Sequence, residues 1–200
     1  MDVPLSLPEP TGVALTFDDG PHPEGTPAVL AALAREQAVA TFFLVGEQVE
    51  RYPDLVAEIA AAGHVCAVHG YRHRNQMRLT PRAFAADLER AVALIAETCG
   101  RTPALYRPPY GVFTLTGLAA VRQATLQPLL WSKWGRDWRG RTTPAAIVAL
   151  ATERLGAGDV VLLHDADWYS HAGSHRRTAA ALPAILTELR RLGLPPTVWG

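Results

Sequence analysis

The sequence predicts a single α/β domain built on a parallel sheet. Two observations support this prediction: the alternation of strand and helix patterns, and the length of the chain. Short apolar runs rich in β-branched residues alternate with longer helical patterns along the chain of 200 residues. Parallel strands need crossover connections, and alternation of this kind is typical of strands joined by helices. The length suits one domain, and no linker-like or repeated segment divides it. Seven strands in this length fit a small irregular barrel or a doubly wound sheet, and composition does not separate the two.

The turn and cap signals give the predicted elements. The strands are expected at 13–17, 40–45, 65–68, 104–106, 129–132, 159–163 and 197–199. The helices are expected at 27–36, 53–62, 81–99, 115–123, 144–155 and 178–192. Three of these helices begin with Thr-Pro, in which threonine can cap the helix and proline takes the first helical position.

Composition excludes several partners. Lysine plus arginine and aspartate plus glutamate both number 19, so the net charge is zero and no basic field is available for nucleic acid or an anionic membrane. No stretch reaches the length of an apolar membrane span, and the N-terminus lacks the regions of a signal peptide. We therefore expect a cytoplasmic location as the sequence stands, and a secreted protein if a leader has been removed. The oligomeric state is left open.

Chemically reactive side chains follow the predicted strands at the point where each strand ends. They are Asp18 and Asp19 after the first strand, His69 after the third, Arg107 after the fourth, Asp137 beyond the fifth and His164 after the sixth. In parallel α/β folds, functional sites gather at the carboxyl ends of the strands. We therefore expect these side chains to lie close together.

Two adjacent acids, Asp18 and Asp19, end the first strand just before the turn signal Gly20-Pro21. Neighbouring side chains on a strand point to opposite faces, so the two carboxylates are expected to do different work. One can hold a cation while the other moves a proton. The alternative is a turn whose aspartates cap the following segment, and the pair alone does not decide between them.

His69 and His73 stand four residues apart, a spacing that places two imidazoles on one side of a helical turn or tight loop. With an oxygen from Asp19 they would form a catalytic metal site of three protein ligands and an open position for water. Imidazole and carboxylate together favour zinc, with cobalt, nickel or iron as alternatives. His22 is interpreted as a residue of the site's rim rather than as a ligand.

Three further segments contribute candidates. Arg107 begins a loop stiffened by two prolines, and its guanidinium fork suits a carboxylate partner, for which Asp18 is the natural choice. Three tryptophans lie within residues 131–138, a density that fits core packing or stacking on sugar rings. His164 ends a strongly apolar strand and carries the side chain best suited to donate a proton near neutral pH.

Taken together, these motifs resemble the polysaccharide deacetylases with a NodB-homology domain, carbohydrate esterase family 4. The resemblance is carried in the family's order by Thr16–Pro21, His69 with His73, Arg107–Gly111, Asp137-Trp138 and Leu162–His164. It runs from about Val13 to the end, which predicts a family domain at 13–200 and an N-terminal extension at 1–12. It implies a distorted (β/α)₇ barrel of parallel strands.

The resemblance also implies roles for the residues at the centre of the site. Asp19, His69 and His73 would bind one divalent metal ion. Asp18 would act as the general base and His164 as the general acid.

Other roles implied by the resemblance support these groups or the substrate. Arg107 would orient the base, and Asp137 would orient and tune the acid. The backbone amide of Tyr110 would help to hold the oxyanion. Trp138 and Leu162 would line the pocket for the acetyl methyl group.

The chain departs from the family pattern at two positions. Gly70 stands where the family usually has serine or threonine, whose hydroxyl braces the loop between the two histidines, so looser metal binding is expected. Trp134 stands where the family often has an acid, which is expected to alter the rim of the substrate site.

The function expected from the resemblance is metal-dependent removal of N-acetyl or O-acetyl groups from sugars, with release of acetate. One alternative is a metal-dependent amidase or deformylase that acts on another amide with the same groups. A second is a carbohydrate-binding relative that has lost turnover. A glycosidase with two carboxylates is disfavoured because paired histidines have no role in that chemistry. The acetylated sugar that serves as substrate is not predicted.

Overall fold

The structure, a computed structural model, describes residues 3–9 and 11–199. One sheet contains eight strands: β1 Val13–Asp18, β2 Thr41–Leu44, β3 Val65–Val68, β4 Leu105–Tyr106, β5 Gln127–Pro128, β6 Lys133–Trp134, β7 Val160–His164 and β8 Pro196–Thr197. The helices are α1 Gly25–Arg35, α2 Gly46–Arg51, α3 Pro53–Ala61, α4 Pro81–Cys99, α5 Leu115–Gln123, α6 Pro144–Ala151 and α7 Ser174–Leu192. All pairings between these strands are parallel, which confirms the predicted α/β class.

The sheet curls into a distorted, incomplete barrel in which β1 is central. The order is β5-β4-β3-β2-β1-β7-β6, and β8 pairs with the start of β1. The register places Asp18 opposite Phe43 of β2 and His164 of β7. Because all strands run the same way, their carboxyl ends form one edge, and Asp18 and His164 lie side by side on it.

The alternation along β1 sorts its side chains between two layers. Val13, Leu15 and Phe17 join the large apolar core shared with the helices. Ala14 joins a small cluster on the other face of the sheet. Since strand side chains alternate, Thr16 and Asp18 lie on the face of Ala14, inside the curl of the sheet. The strand thereby anchors itself by burial and delivers one carboxylate to the interior.

Several elements differ from the predicted ones: α1 begins at Gly25, so Thr26 lies inside it instead of capping it, and α6 ends at Ala151 rather than at 155. The fifth strand, expected at 129–132, is wrong: two short strands, β5 and β6, flank those residues instead. The carbonyls of Leu129 and Leu130 accept hydrogen bonds from the Arg107 side chain, so they are turned away from strand pairing. Helix α2 was not predicted, and α7 begins four residues before its predicted start.

The N-terminal segment lies against the sheet. Leu7 donates its amide hydrogen to Gly158 O at 2.8 Å, and Leu130 donates to Pro4 O at 2.9 Å. The boundary predicted at residue 12 stays a prediction, and Met1, Asp2 and Pro10 within that extension lie outside the described residues. Within residues 3–9 and 11–199, no helix combines the length and apolar character needed to span a bilayer.

Candidate active site

The two adjacent acids both reach the same cleft because the chain turns sharply after the strand. Asp19 adopts φ 79°, a left-handed conformation that is uncommon for residues other than glycine. A regular strand would send Asp19 to the opposite face from Asp18, whereas both carboxylates line one cavity here. Strained backbone of this kind is concentrated at functional sites, where the surrounding structure must hold it.

Asp19, His69 and His73 form a compact cluster. Asp19 Oδ1 lies 3.5 Å from His69 Nε2 and 3.2 Å from His73 Nε2. The candidate ligand atoms of the three residues all lie within 4.8 Å of one another. The structure thus brings together the three residues predicted as metal ligands.

Hydrogen bonding fixes which imidazole nitrogen of His69 is available. Its Nδ1 lies 2.8 Å from Arg107 O, and because a carbonyl only accepts, Nδ1 must carry the proton. The lone pair of Nε2 is therefore free and faces Asp19. A metal-binding histidine usually has its other nitrogen anchored in this way.

The electrostatics of Asp19 also suit a cation. Burial raises the pKa of Asp19, but the neighbouring imidazoles of His69, His73 and His164 hold that pKa well below the usual range. Its Oδ1 is buried and makes no hydrogen bond of good geometry within the described part of the chain. A buried anionic oxygen facing two imidazole nitrogens fits a divalent cation of the zinc, cobalt, nickel or iron type.

A helix braces the loop between the two histidines from outside. Asp87 of α4 accepts the amide hydrogen of Tyr71 at 2.7 Å and that of Arg72 at 3.3 Å. Gly70 adopts φ +82°, and a Cβ there would lie 3.1 Å from Arg72 O. The brace therefore uses a carboxylate where the family pattern uses a hydroxyl. The looser metal binding expected from Gly70 stays a prediction.

Tyr169 holds the second histidine by stacking. Its ring lies parallel to that of His73, with centroids 4.1 Å apart and an interplanar angle of 7°. The Tyr169 hydroxyl donates to Glu47 Oε1 at 2.7 Å and accepts from Gln48 Nε2 at 3.0 Å. Both partners belong to α2, so Tyr169 fixes His73 against a helix. Sequence reasoning missed Tyr169 and Asp87.

We expect replacement of Tyr169 by alanine to weaken metal binding by roughly ten- to a hundredfold, as loss of a ligand-orienting contact does. Tyr169→Phe keeps the ring and loses the anchors on α2, so its loss should be smaller. The metal dissociation constant, measured by competition with a chelator, checks this. Tyr52→Ala is a matched control, because Tyr52 packs on Trp168 and does not line the cavity, so its loss should leave metal affinity unchanged. An affinity of Tyr169→Ala equal to that of the unchanged protein contradicts the proposed contact.

Arg107 is completely buried and connects the Asp18 carboxylate to the sheet. Its Nη1 donates to Asp18 Oδ1 at 2.6 Å and to Thr16 Oγ1 at 2.8 Å. Its Nε and Nη2 donate to the carbonyls of Leu129 and Leu130. A guanidinium held by four acceptors cannot rotate freely, so it fixes the orientation of the Asp18 carboxylate.

A second carboxylate fixes His164. Asp137 Oδ1 lies 2.9 Å from His164 Nδ1, and Asp137 Oδ2 accepts from the His164 amide and from Thr178 Oγ1, both at 2.7 Å. Burial lowers the pKa of His164, but the charge and hydrogen bond of Asp137, with Asp19 and Asp18 beyond it, raise that pKa to about 10. The imidazole is therefore cationic at neutral pH, with Nδ1 bonded to Asp137.

These groups surround a cavity of about 400 Å³. Eight of the ten predicted site residues line it: Asp18, Asp19, His69, His73, Tyr110, Trp138, Leu162 and His164. Arg107 and Asp137 lie behind Asp18 and His164 and act through them. The other lining residues are Trp131 and Trp134, which the sequence offered for packing or for stacking on sugars, and Gly111, Tyr169 and Ser170.

Aromatic side chains form one wall of the cavity. Trp131 and Trp134 have ring centroids 6.3 Å apart, and Trp134 and Trp138 lie 5.7 Å apart. Trp138 meets His164 edge to face at 5.5 Å. Tyr110, which has φ 63°, meets the His73 ring at 65°, with the ring centroids 4.7 Å apart. The cleft thus offers flat apolar faces around a few charged groups, as small-molecule binding sites do.

A second imidazole–carboxylate cluster lies outside the cavity. His22 Nε2 and His175 Nδ1 each lie 3.2 Å from a different oxygen of Asp167. His22 Nδ1 accepts the amide hydrogens of Glu24 and Gly25, so the proton of the neutral ring is on Nε2, facing Asp167. In that tautomer Nε2 carries a proton and has no lone pair to offer a metal ion. His22 is buried and does not line the cavity, so its interpretation as a rim residue is wrong.

Comparison with known proteins identifies the family. The family model described as "Polysaccharide deacetylase" matches residues 7–129, well over half of the chain. The chain therefore belongs to the polysaccharide deacetylase family, which consists of hydrolases acting on carbon–nitrogen bonds other than peptide bonds.

Relatives and a solved structure agree with this assignment. A peptidoglycan-N-acetylglucosamine deacetylase of Bacillus cereus is 35% identical over 184 residues, covering 90% of this chain and 83% of the relative. A chitooligosaccharide deacetylase of a Bradyrhizobium species is 35% identical over 188 residues, covering 90% and 85%. The family 4 carbohydrate esterase from Streptomyces lividans, solved in complex with acetate, has a TM-score of 0.85 at 33% identity, covering 96% and 95%.

Proposed function

We propose that the protein is a metal-dependent deacetylase that removes acetyl groups from N-acetylated sugars. The observation that carries the proposal is one cleft in which Asp19, His69 and His73 meet while Asp18 and His164 face the same space. The relatives named above, which act on N-acetylglucosamine in peptidoglycan or on chitooligosaccharides, support the same substrate class. Zinc is the proposed metal, because one carboxylate and two imidazoles form a ligand set typical of catalytic zinc.

The metal ion and the Asp18 carboxylate have separate roles in the hydrolysis. When bound by Asp19, His69 and His73, a divalent cation polarises a carbonyl and lowers the pKa of water in the site. Asp18 accepts a proton from the attacking water. Arg107 holds the Asp18 carboxylate in one orientation throughout, since its guanidinium is fixed by four acceptors. The amide of Tyr110 remains the proposed donor to the oxyanion.

His164 completes the reaction at the leaving group. Its Nδ1 is held by Asp137, so the proton on Nε2 is the one available to the departing amine. The raised pKa keeps this imidazole protonated at neutral pH, which an acid requires. Trp138 and Leu162 lie beside His164 in the cavity and form the proposed contact for the acetyl methyl group.

Replacing Asp137 by asparagine is expected to move the basic limb of the pH–rate profile to lower pH. The carboxylate raises the pKa of His164, so its neutral replacement lowers that pKa, and the acid then loses its proton at a lower pH. The shift in kcat/KM should be about one pH unit or more. A series of rates between neutral and alkaline pH measures it. An unmoved limb argues against His164 as the acid.

The proposed function is tested by elemental analysis combined with a screen of released acids. We expect one divalent ion per chain and acetate released from N-acetylglucosamine oligomers. Formate released from small formamides without acetate from sugars indicates the amidase or deformylase alternative instead. Tight oligosaccharide binding without any released acid in metal-replete buffer indicates a binding protein.

A further inference from the structure

A second cavity lies next to the catalytic cleft, at His73 and Tyr110. Its volume is about 590 Å³, and its lining is His73, Arg74, Asn75, Arg78, Leu79 and Tyr110. His73 and Tyr110 also line the catalytic cavity, so the two spaces share a wall. A sugar chain whose acetyl group enters the catalytic cavity would therefore place its neighbouring unit close to this second cavity, which we call the arginine groove.

The positive charge of the two guanidinium groups of the arginine groove is only partly neutralised. The arginines that form ion pairs within the described ranges are Arg90, Arg107, Arg176, Arg190 and Arg191. Arg74 and Arg78 are exposed and belong to none of these pairs. Asp87 interacts with both Arg74 and Arg72, and the two neutral amides that it accepts leave its charge in place, so one carboxylate is shared between two guanidinium groups. No aspartate or glutamate is among the groove's lining residues.

We propose that the arginine groove binds a carboxylate carried by the unit next to the acetylated sugar, and that it selects acidic over neutral glycans. This inference rests on the proposed deacetylase function and adds the substrate class. A guanidinium presents paired donors that match the two oxygens of a carboxylate. The Trp131, Trp134 and Trp138 wall bounds the catalytic cavity and contributes no residue to the groove, so the groove is the charged side of the binding surface.

The test compares tetrasaccharides that differ at one group. In the first, every second sugar carries a lactyl ether with a free carboxylate. In the second, that carboxylate is an amide of nearly the same shape, and in a third it is joined to a short peptide that ends in a carboxylate. We expect kcat/KM for acetate release to be roughly tenfold higher for the acid than for the amide at low salt, the size that two exposed charge pairs supply. The preference should shrink as salt screens the charges.

Variants assign that preference to the groove. The acid-to-amide ratio should fall to about 1 in Arg74→Ala/Arg78→Ala, and each single variant should remove part of it. Arg35→Ala is the matched control: Arg35 is exposed in the last turn of α1, at the opposite end of the strands, and should leave the ratio unchanged. If the peptide-bearing substrate is also preferred over the amide, the inference is supported, and the carboxylate that the groove binds can come from the peptide.

Equal rates for all three substrates in the unchanged protein overturn the inference, as does a preference that survives in the double variant. Failure of the proposed function has a different signature, since no substrate then releases acetate. In that case calorimetric binding of the acid and the amide decides the inference alone. Tighter binding of the acid, lost in the double variant, supports it, and equal binding overturns it.

Discussion

Replacing His69 by alanine is expected to abolish both metal retention and acetate release. His69 supplies one of three candidate ligands, and its Nε2 is held toward Asp19 by the hydrogen bond from Nδ1 to Arg107 O. Loss of a ligand removes more affinity than loss of an orienting contact, so we expect metal binding to weaken by more than about a hundredfold. Elemental analysis after dialysis measures the retained metal, and acetate release measures the activity.

The control for this variant is His171→Ala. His171 is an exposed histidine that does not line the catalytic cavity, so its removal should leave metal content unchanged. Metal content in His69→Ala equal to that of the unchanged protein contradicts the assigned ligand set. Circular dichroism of both variants separates loss of a ligand from loss of the fold.

Replacing Asp18 by asparagine is expected to lower kcat by roughly a hundred- to ten-thousandfold while metal content stays the same. Asparagine has the shape of aspartate but cannot accept the proton of the attacking water. Because Asp18 is not among the three clustered ligand residues, its replacement should separate proton transfer from metal binding. Acetate release at saturating metal and substrate measures the effect.

A structural consequence accompanies that substitution. Arg107 is fully buried, and its Nη1 lies 2.6 Å from Asp18, so neutralising Asp18 leaves a buried cation without its counter-charge. Breaking such a pair typically costs about 3–5 kcal/mol of folding stability, so the Tm of Asp18→Asn should fall. Asp54→Asn, which neutralises an exposed acid in the first turn of α3, should leave the rate unchanged and lower the Tm far less. A catalytic rate in Asp18→Asn equal to that of the unchanged protein contradicts the assigned base.

The fold class was predictable because strand and helix periodicities alternate cleanly, and Thr80 and Thr143 cap their helices as predicted. The errors have local causes. Helix α2 has six residues, too few for a periodic pattern, and no side-chain cap. The start of α7 lacks a capping side chain, with Gly173 at φ 75° in the cap position. The apolar run from Leu129 has the pattern of a strand. Its carbonyl is bonded to Arg107 instead, and this tertiary contact cannot be seen in the sequence.

The candidate site was predictable to the extent that strand ends supply it. Asp18 and His164 end adjacent parallel strands, so their proximity follows from the rule that sites gather at carboxyl ends. The contacts that hold the second histidine do not follow from any strand. Tyr169 lies in an irregular loop, and Asp87 looks like an ordinary polar residue of an amphipathic helix. Long-range contacts of this kind leave no periodic or motif signal in one sequence.

The central claim is that acetate release requires one divalent ion held by Asp19, His69 and His73. The most direct test titrates zinc into protein made metal-free with a chelator and follows acetate released from N-acetylglucosamine oligomers. We predict no release without metal and a rise that reaches its plateau at one ion per chain. Undiminished release by protein that elemental analysis shows to be metal-free would contradict the claim.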